Sequence, residues 1–163
     1  MTDPGLEIVL DNLDRAFATS SWHGTHLRGA IRGLTLEVAA FRPRPDRHNV
    51  WELVVHCAYW KYAARRQLTG EKRGSFPLAG SNFFPRPQGA AAVADWRRDV
   101  ALLERCHEEL RAVAATLAPG ELRRSPRPSG RSRLEILLGV AAHDLYHAGQ
   151  IQLLKRLARG RGR

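Results

Sequence analysis

The stretch VADWRRDVALLERCHEELRAVAATL, residues 93–117, places Val93, Trp96, Val100, Leu103, His107, Leu110, Ala114 and Leu117 at successive steps of three and four. On an α-helix that spacing gathers them on one stripe. Sustained over about three and a half heptads, it is the pattern of a bundle seam. Pro119-Gly120 stops the run, so a helix is expected over 90–117.

Working outward, two more helices announce their starts. Asn49 is a good N-cap, and Glu52 three residues on can reach back to it as a capping box. This predicts a helix over 49–68, ended by Gly70. Ser132 and Glu135 repeat the pattern ahead of a helix over 133–157. Near the N-terminus, Thr2 or Asp3 can cap a helix with Pro4 near its first position. Leu6, Val9, Leu10, Leu13 and Phe17 mark its buried face over 5–19. Residues 25–40 read as one or two short helices, Arg42-Pro43-Arg44-Pro45 as a linker, and residues 69–89 as a long loop. Strand-type alternation is nearly absent. The expectation is an all-α chain: one four-helix-bundle domain with long inter-helix loops over residues 1–157, then a basic tail over 158–163.

At 163 residues, with 44% hydrophobic and 26% charged side chains, the chain is long enough to bury a core and too apolar to be mostly disordered. It contains no apolar run of the ~18–20 residues a membrane span needs. The first residues carry acids where a signal peptide carries bases. Cys57 and Cys106 are far apart and form no CxxC, which excludes a cysteine zinc knuckle and suits a reducing cytoplasm.

The net charge of +10 is concentrated. Residues 119–133 hold Arg123, Arg124, Arg127, Arg131 and Arg133 against Glu121, and residues 155–163 hold Lys155 and four arginines; together they supply +9. One segment reads as a Pro/Gly/Ser-rich loop, and the other ends in RGRGR, a frayed tail. Weak, non-specific attraction to polyanions is expected, and specific nucleic-acid binding is not.

Of seven histidines, three form a candidate site. His143 and His147, in HDLYH, stand one turn apart on a helix, with their rings about 40° apart around its axis. They share the stripe Ile136, Val140, Ile151 and Leu154 and so face the core. Such a pair can be hydrogen-bonded within the protein, or can grip one ion. His56 lies on the stripe Leu53, His56, Trp60 and Ala63 of the second helix and can close a three-histidine site. Open positions for water or substrate would make it catalytic in type. Imidazole suits borderline ions, so nickel or zinc is expected over magnesium or calcium. His107 reads as structural, and His23, His26 and His48 as capping or exposed residues.

His48-Asn49-Val50-Trp51-Glu52-Leu53-Val54-Val55-His56 followed by Trp60, and His143-Asp144-Leu145-Tyr146-His147-Ala148-Gly149-Gln150-Ile151, resemble two motifs of the DinB superfamily, the DinB/YfiT-like metalloenzymes. Trp22-His23-Gly24 and Leu27 through Pro43 resemble that family's first inter-helix segment. The resemblance implies a DinB/YfiT-like four-helix bundle, a divalent ion (commonly nickel or zinc) on His56, His143 and His147, a cytoplasmic location and a homodimer. It also implies a small-molecule substrate, because characterised relatives include thiol-dependent S-transferases and a maleylpyruvate isomerase that use low-molecular-weight thiols.

The function expected is metal-dependent S-transfer with a low-molecular-weight thiol as co-substrate. Two alternatives stand beside it: a hydrolase using metal-bound water, with Asp144 or Glu52 as candidate proton acceptor, and a non-catalytic metal-binding stress-response protein. No residue is assigned as catalytic, and none as a contact for the thiol.

Overall fold

The computed structural model describes residues 3–20, 22–88, 92–128 and 130–160. These residues form six α-helices and one short 3-10 turn, and no strand occurs among them. Four helices are long: α1 (Pro4–Phe17), α4 (Val50–Thr69), α5 (Val93–Ala115) and α6 (Arg133–Gly160). Two are single turns, α2 (Leu27–Ile31) and α3 (Leu36–Ala40).

The expected start signals operate. Asp3 accepts from Gly5 N at 2.8 Å, with Pro4 behind it; Thr2 lies outside the described residues. Asn49 and Glu52 form the reciprocal capping box of α4. Ser132 and Glu135 form that of α6, with Ser132 N donating to Glu135 Oε2 at 2.7 Å and Glu135 N to Ser132 Oγ at 3.2 Å. Gly70 closes α4 in the left-handed region at φ 77°, which costs glycine no Cβ clash. His26 caps α2 by accepting from Gly29 N at 2.9 Å. The expected start of α5 at residue 90 falls outside the described residues, and the helix begins at Val93.

α6 is longer than expected. It runs to Gly160, so residues 158–160, expected as the start of the basic tail, are helical. Within the helix as expected, Lys155 donates to the Ala30 carbonyl at 2.8 Å, which ties the end of α6 to α2.

α4 packs against α5 and α6, and α1 packs against the same two helices. Each long helix is therefore sandwiched between two others, with α2 and α3 laid across α6 and α4. Trp51 is fully buried, and its indole N–H donates to Asp99 Oδ2 at 2.6 Å. Arg86 completes that group at 2.8 Å from Asp99.

A polar group at the centre of the molecule had no sequence signal. Lys61 on α4 and Asp144 on α6 are both fully buried and paired, Lys61 Nζ donating to Asp144 Oδ2. Lys61 also reaches His107 Nδ1 at 3.4 Å and lies over the Phe17 ring at 4.9 Å from its centroid. Asp144 Oδ1 has no partner among the described residues. A buried pair with an unmatched oxygen contributes little net stability, but it fixes α4 against α6 in one register.

Lys61→Met should leave Asp144 buried and unpaired and cost about 3–5 kcal/mol in urea unfolding. Lys61→Met combined with Asp144→Leu should recover most of that loss. Equal loss in the single and double variants would contradict the role given to the pair.

Candidate metal centre

The helix register set by Lys61 and Asp144 brings His56 opposite His143 and His147. His56 stands five residues before Lys61 on α4, and the other two flank Asp144 on α6. His56 Nε2 lies 3.0 Å from His143 Nε2, and His147 Nε2 lies 3.1 Å from the same atom. His56 and His147 are buried, and His143 is half-buried.

The outer nitrogens decide the protonation. His56 Nδ1 is 2.9 Å from the Asn82 carbonyl, which can only accept, so the proton of His56 sits on Nδ1. His147 Nδ1 is 2.7 Å from Gln150 Oε1 and carries its proton in the same way. Both Nε2 atoms are then bare lone pairs facing His143 Nε2. That nitrogen holds at most one proton and can satisfy one neighbour. One pair of lone pairs is left face to face at about 3 Å.

An extra proton does not resolve the conflict. Burial brings the His143 imidazole down to about 3, with His147 and His56 adding to the effect. Burial brings His56 down to about 4 against the opposing pull of the Asn82 carbonyl. Burial also lowers His147. Three neutral imidazoles with converging lone pairs fit a divalent cation, which accepts from all three. They form a set of ligand atoms within 4.8 Å of one another.

A second set at that spacing, Cys57, His143 and Asp144, fits an ion poorly. Burial raises the Cys57 thiol well above its usual range, Asp144 raises it further, and Asp144 itself is engaged by Lys61.

One member of the triad borders a cavity. His143 lines a cavity of about 210 Å³ together with Trp60, Gln67, Arg131, Glu135 and Gly139. Trp60 was expected to face the core, yet it is 39% exposed. Its indole N–H donates to Asn82 Oδ1 at 3.0 Å, and its ring stands 6.3 Å from the rings of both His56 and His143. It walls the site instead of filling the core. A larger cavity, about 510 Å³, lies between α2 and α5 and does not touch the imidazoles.

The remaining histidines are engaged elsewhere. His107 stacks on Phe17 at 3.9 Å between Lys61 and Asp14. His48 stacks on Phe83 at 3.6 Å and contacts Glu52 Oε2 at 3.0 Å. The two carboxylates named as proton acceptors are also committed: Asp144 to Lys61, and Glu52 to Arg42, His48 and the α4 cap.

Asn82 and Gln150 are the partners that sequence reasoning missed. Gln150 stands three residues after His147 on the same helix, a spacing that brings side chains together and could have identified it. Asn82 lies in the long loop, where nothing in the sequence announced its contact with α4.

These features describe a protein whose secondary structure among the described residues is helical, with a largely buried three-histidine cluster of which His143 lines a small cavity. The family model of the DinB superfamily matches residues 21–151, and the chain belongs to that superfamily. No curated protein and no solved structure matches the chain.

Because burial lowers all three free rings, protons compete with an ion only at lower pH than they do for ordinary imidazoles. Zinc affinity should therefore hold from pH 8 down through the roughly 6.5 at which ordinary imidazoles already lose affinity, and fall only in more acid solution. His147→Ala should weaken binding by more than the roughly 10- to 100-fold that loss of an outer hydrogen-bond partner costs. Competitive zinc titrations across this pH range measure both effects. An affinity falling steeply from pH 7 downward would contradict the protonation assigned here.

Proposed function

We propose that the protein is a metal-dependent enzyme, with His56, His143 and His147 holding nickel or zinc, that transfers a low-molecular-weight thiol to an electrophile. The observation carrying this proposal is the convergence of three imidazole Nε2 atoms, of which His143 lines a cavity that also holds Arg131. A divalent ion held there supplies Lewis acidity that favours the thiolate form of a bound thiol.

The chain's own residues supply the rest. Arg131, in the basic loop, offers guanidinium donors to an acidic or sugar-bearing thiol entering the cavity. Trp60 gives the cavity an apolar wall, and Gln67 adds an amide. Neither cysteine suits the role of nucleophile: burial raises Cys57 well above its usual range and Cys106 to about 11. The thiol then has to come from a co-substrate.

Hydrolysis has one observation in its favour, since Glu135 lines the same cavity. However, hydrogen bonds from Ser132 hold the Glu135 carboxyl below its usual range, which makes it a weak base at neutral pH.

The four long helices support a four-helix bundle of the DinB/YfiT-like type. A homodimer is supported by α6, whose outer face exposes Leu138, Tyr146, Leu153 and Leu157. Two buried, unpaired cysteines fit the reducing cytoplasm. Among the described residues, no helix is long and apolar enough to cross a membrane.

The metal-loaded protein should consume a model electrophile only when a thiol is present. Arg131→Ala should raise KM for a carboxylate-bearing thiol about tenfold, the loss of one hydrogen bond to a charged group, and leave an uncharged thiol unaffected. Turnover of an ester or amide without thiol would instead identify a hydrolase. No turnover of either kind by the loaded protein would identify a metal-binding protein. In sedimentation, a species larger than the 18.3 kDa chain should dominate at micromolar concentration, and only the 18.3 kDa species would contradict the dimer.

A further inference from the structure

The loop between α4 and α5 reaches the histidine cluster through one residue. Asn82 is the non-glycine residue with positive φ among the described residues, at 67°. An L-residue in the left-handed region is uncommon, with asparagine among the best tolerated there, and such conformations concentrate where the surroundings enforce them. Asn82 makes two contacts from this conformation. Its backbone carbonyl accepts from His56 Nδ1 at 2.9 Å, and its side-chain Oδ1 accepts from Trp60 Nε1 at 3.0 Å. The left-handed turn aims the carbonyl at α4 and the amide at the neighbouring indole.

The next residue reinforces this hold. Phe83 lies flat on the His56 ring, with centroids 4.1 Å apart and planes 8° apart, and it also stacks on His48. Phe84 is buried against Tyr59 and Phe76. The loop is anchored by Phe84, covers the His56 ring with Phe83, and holds the ring's outer proton with Asn82.

We propose that Asn82 is a positioning residue for the histidine centre. Its left-handed backbone sets the tautomer and orientation of His56, and its side chain fixes Trp60 at the wall of the cavity. This rests on the proposal that the triad binds a divalent ion. A carbonyl on Nδ1 makes His56 a more basic ligand and holds Nε2 towards the other rings. By reciprocity, anything that takes the Nε2 lone pair makes the Nδ1 proton more acidic and tightens the loop's hold. The two roles separate by substitution. Glycine keeps the left-handed turn and its carbonyl but lacks the side chain on Trp60. Valine strongly disfavours the turn and so withdraws the carbonyl from His56.

The test is isothermal titration of the full-length protein with zinc, for the wild type, Asn82→Gly, Asn82→Val and Trp60→Phe, with thermal unfolding of each metal-free protein. Asn82→Gly and Trp60→Phe should bind zinc within about threefold of the wild type. Asn82→Val should bind about 10- to 100-fold more weakly, the effect expected of losing an outer partner. Tryptophan fluorescence supplies a second readout: the zinc-induced change of the wild type should shrink in Asn82→Gly, because its Trp60 is no longer tied to the loop. A purely structural role would lower the unfolding temperature of metal-free Asn82→Val and leave its zinc affinity intact. That result overturns the inference while leaving the metal site standing. Wild-type protein that fails to bind zinc overturns both.

Discussion

The ion pair between Lys61 and Asp144 is the constraint on which the rest of the structure depends. Two long helices with apolar faces can slide past one another by a turn at modest cost, because leucine, valine and alanine seams are forgiving. A buried charge slides away from its ion-pair partner only at high cost. Lys61 meets Asp144 with both side chains closed off from water, so α4 and α6 have one register. In that register His56 faces His143 and His147. Placing the pair beside the histidines puts the stiffest part of the helix contact where geometry matters most.

Around this fixed point the structure withholds ordinary solutions from the three imidazoles. The outer nitrogens of His56 and His147 are taken by Asn82 and Gln150, the inner nitrogens of all three face each other, and burial keeps protons off. A chain that needed only a packed core there could have used three leucines. What the arrangement offers is a concentrated set of lone pairs beside a cavity, with a guanidinium, a carboxylate and an indole around the opening. Recognition of a small polar molecule and electrophilic assistance can both be built from those parts.

Much of this was readable from local chemistry. The caps at Asp3, Asn49 and Ser132 use short-range hydrogen bonds, so the starts of α1, α4 and α6 could be placed from neighbouring letters. The HxxxH spacing put His143 and His147 on one face by helix geometry alone. What stayed hidden depends on contacts between residues far apart in sequence. Lys61 carried no signal of its burial because its partner lies 83 residues away. Trp60 matched a core stripe, but the cavity edge and Asn82 draw its ring outward. The long loop gave no periodic signal, so its grip on His56 through Asn82 and Phe83 had no counterpart in pattern. A helix is expected at Lys155, but the docking of that side chain on the Ala30 carbonyl is again a distant contact that no local pattern announces.

The central claim is that His56, His143 and His147 together hold one divalent ion. X-ray absorption at the zinc edge of the zinc-loaded protein tests it most directly, by counting the imidazoles around the ion. The account predicts three imidazole nitrogens at about 2.0–2.1 Å, with the remaining positions filled by oxygen from water or substrate. A first shell with one imidazole or none, or one containing sulfur from Cys57, would contradict it.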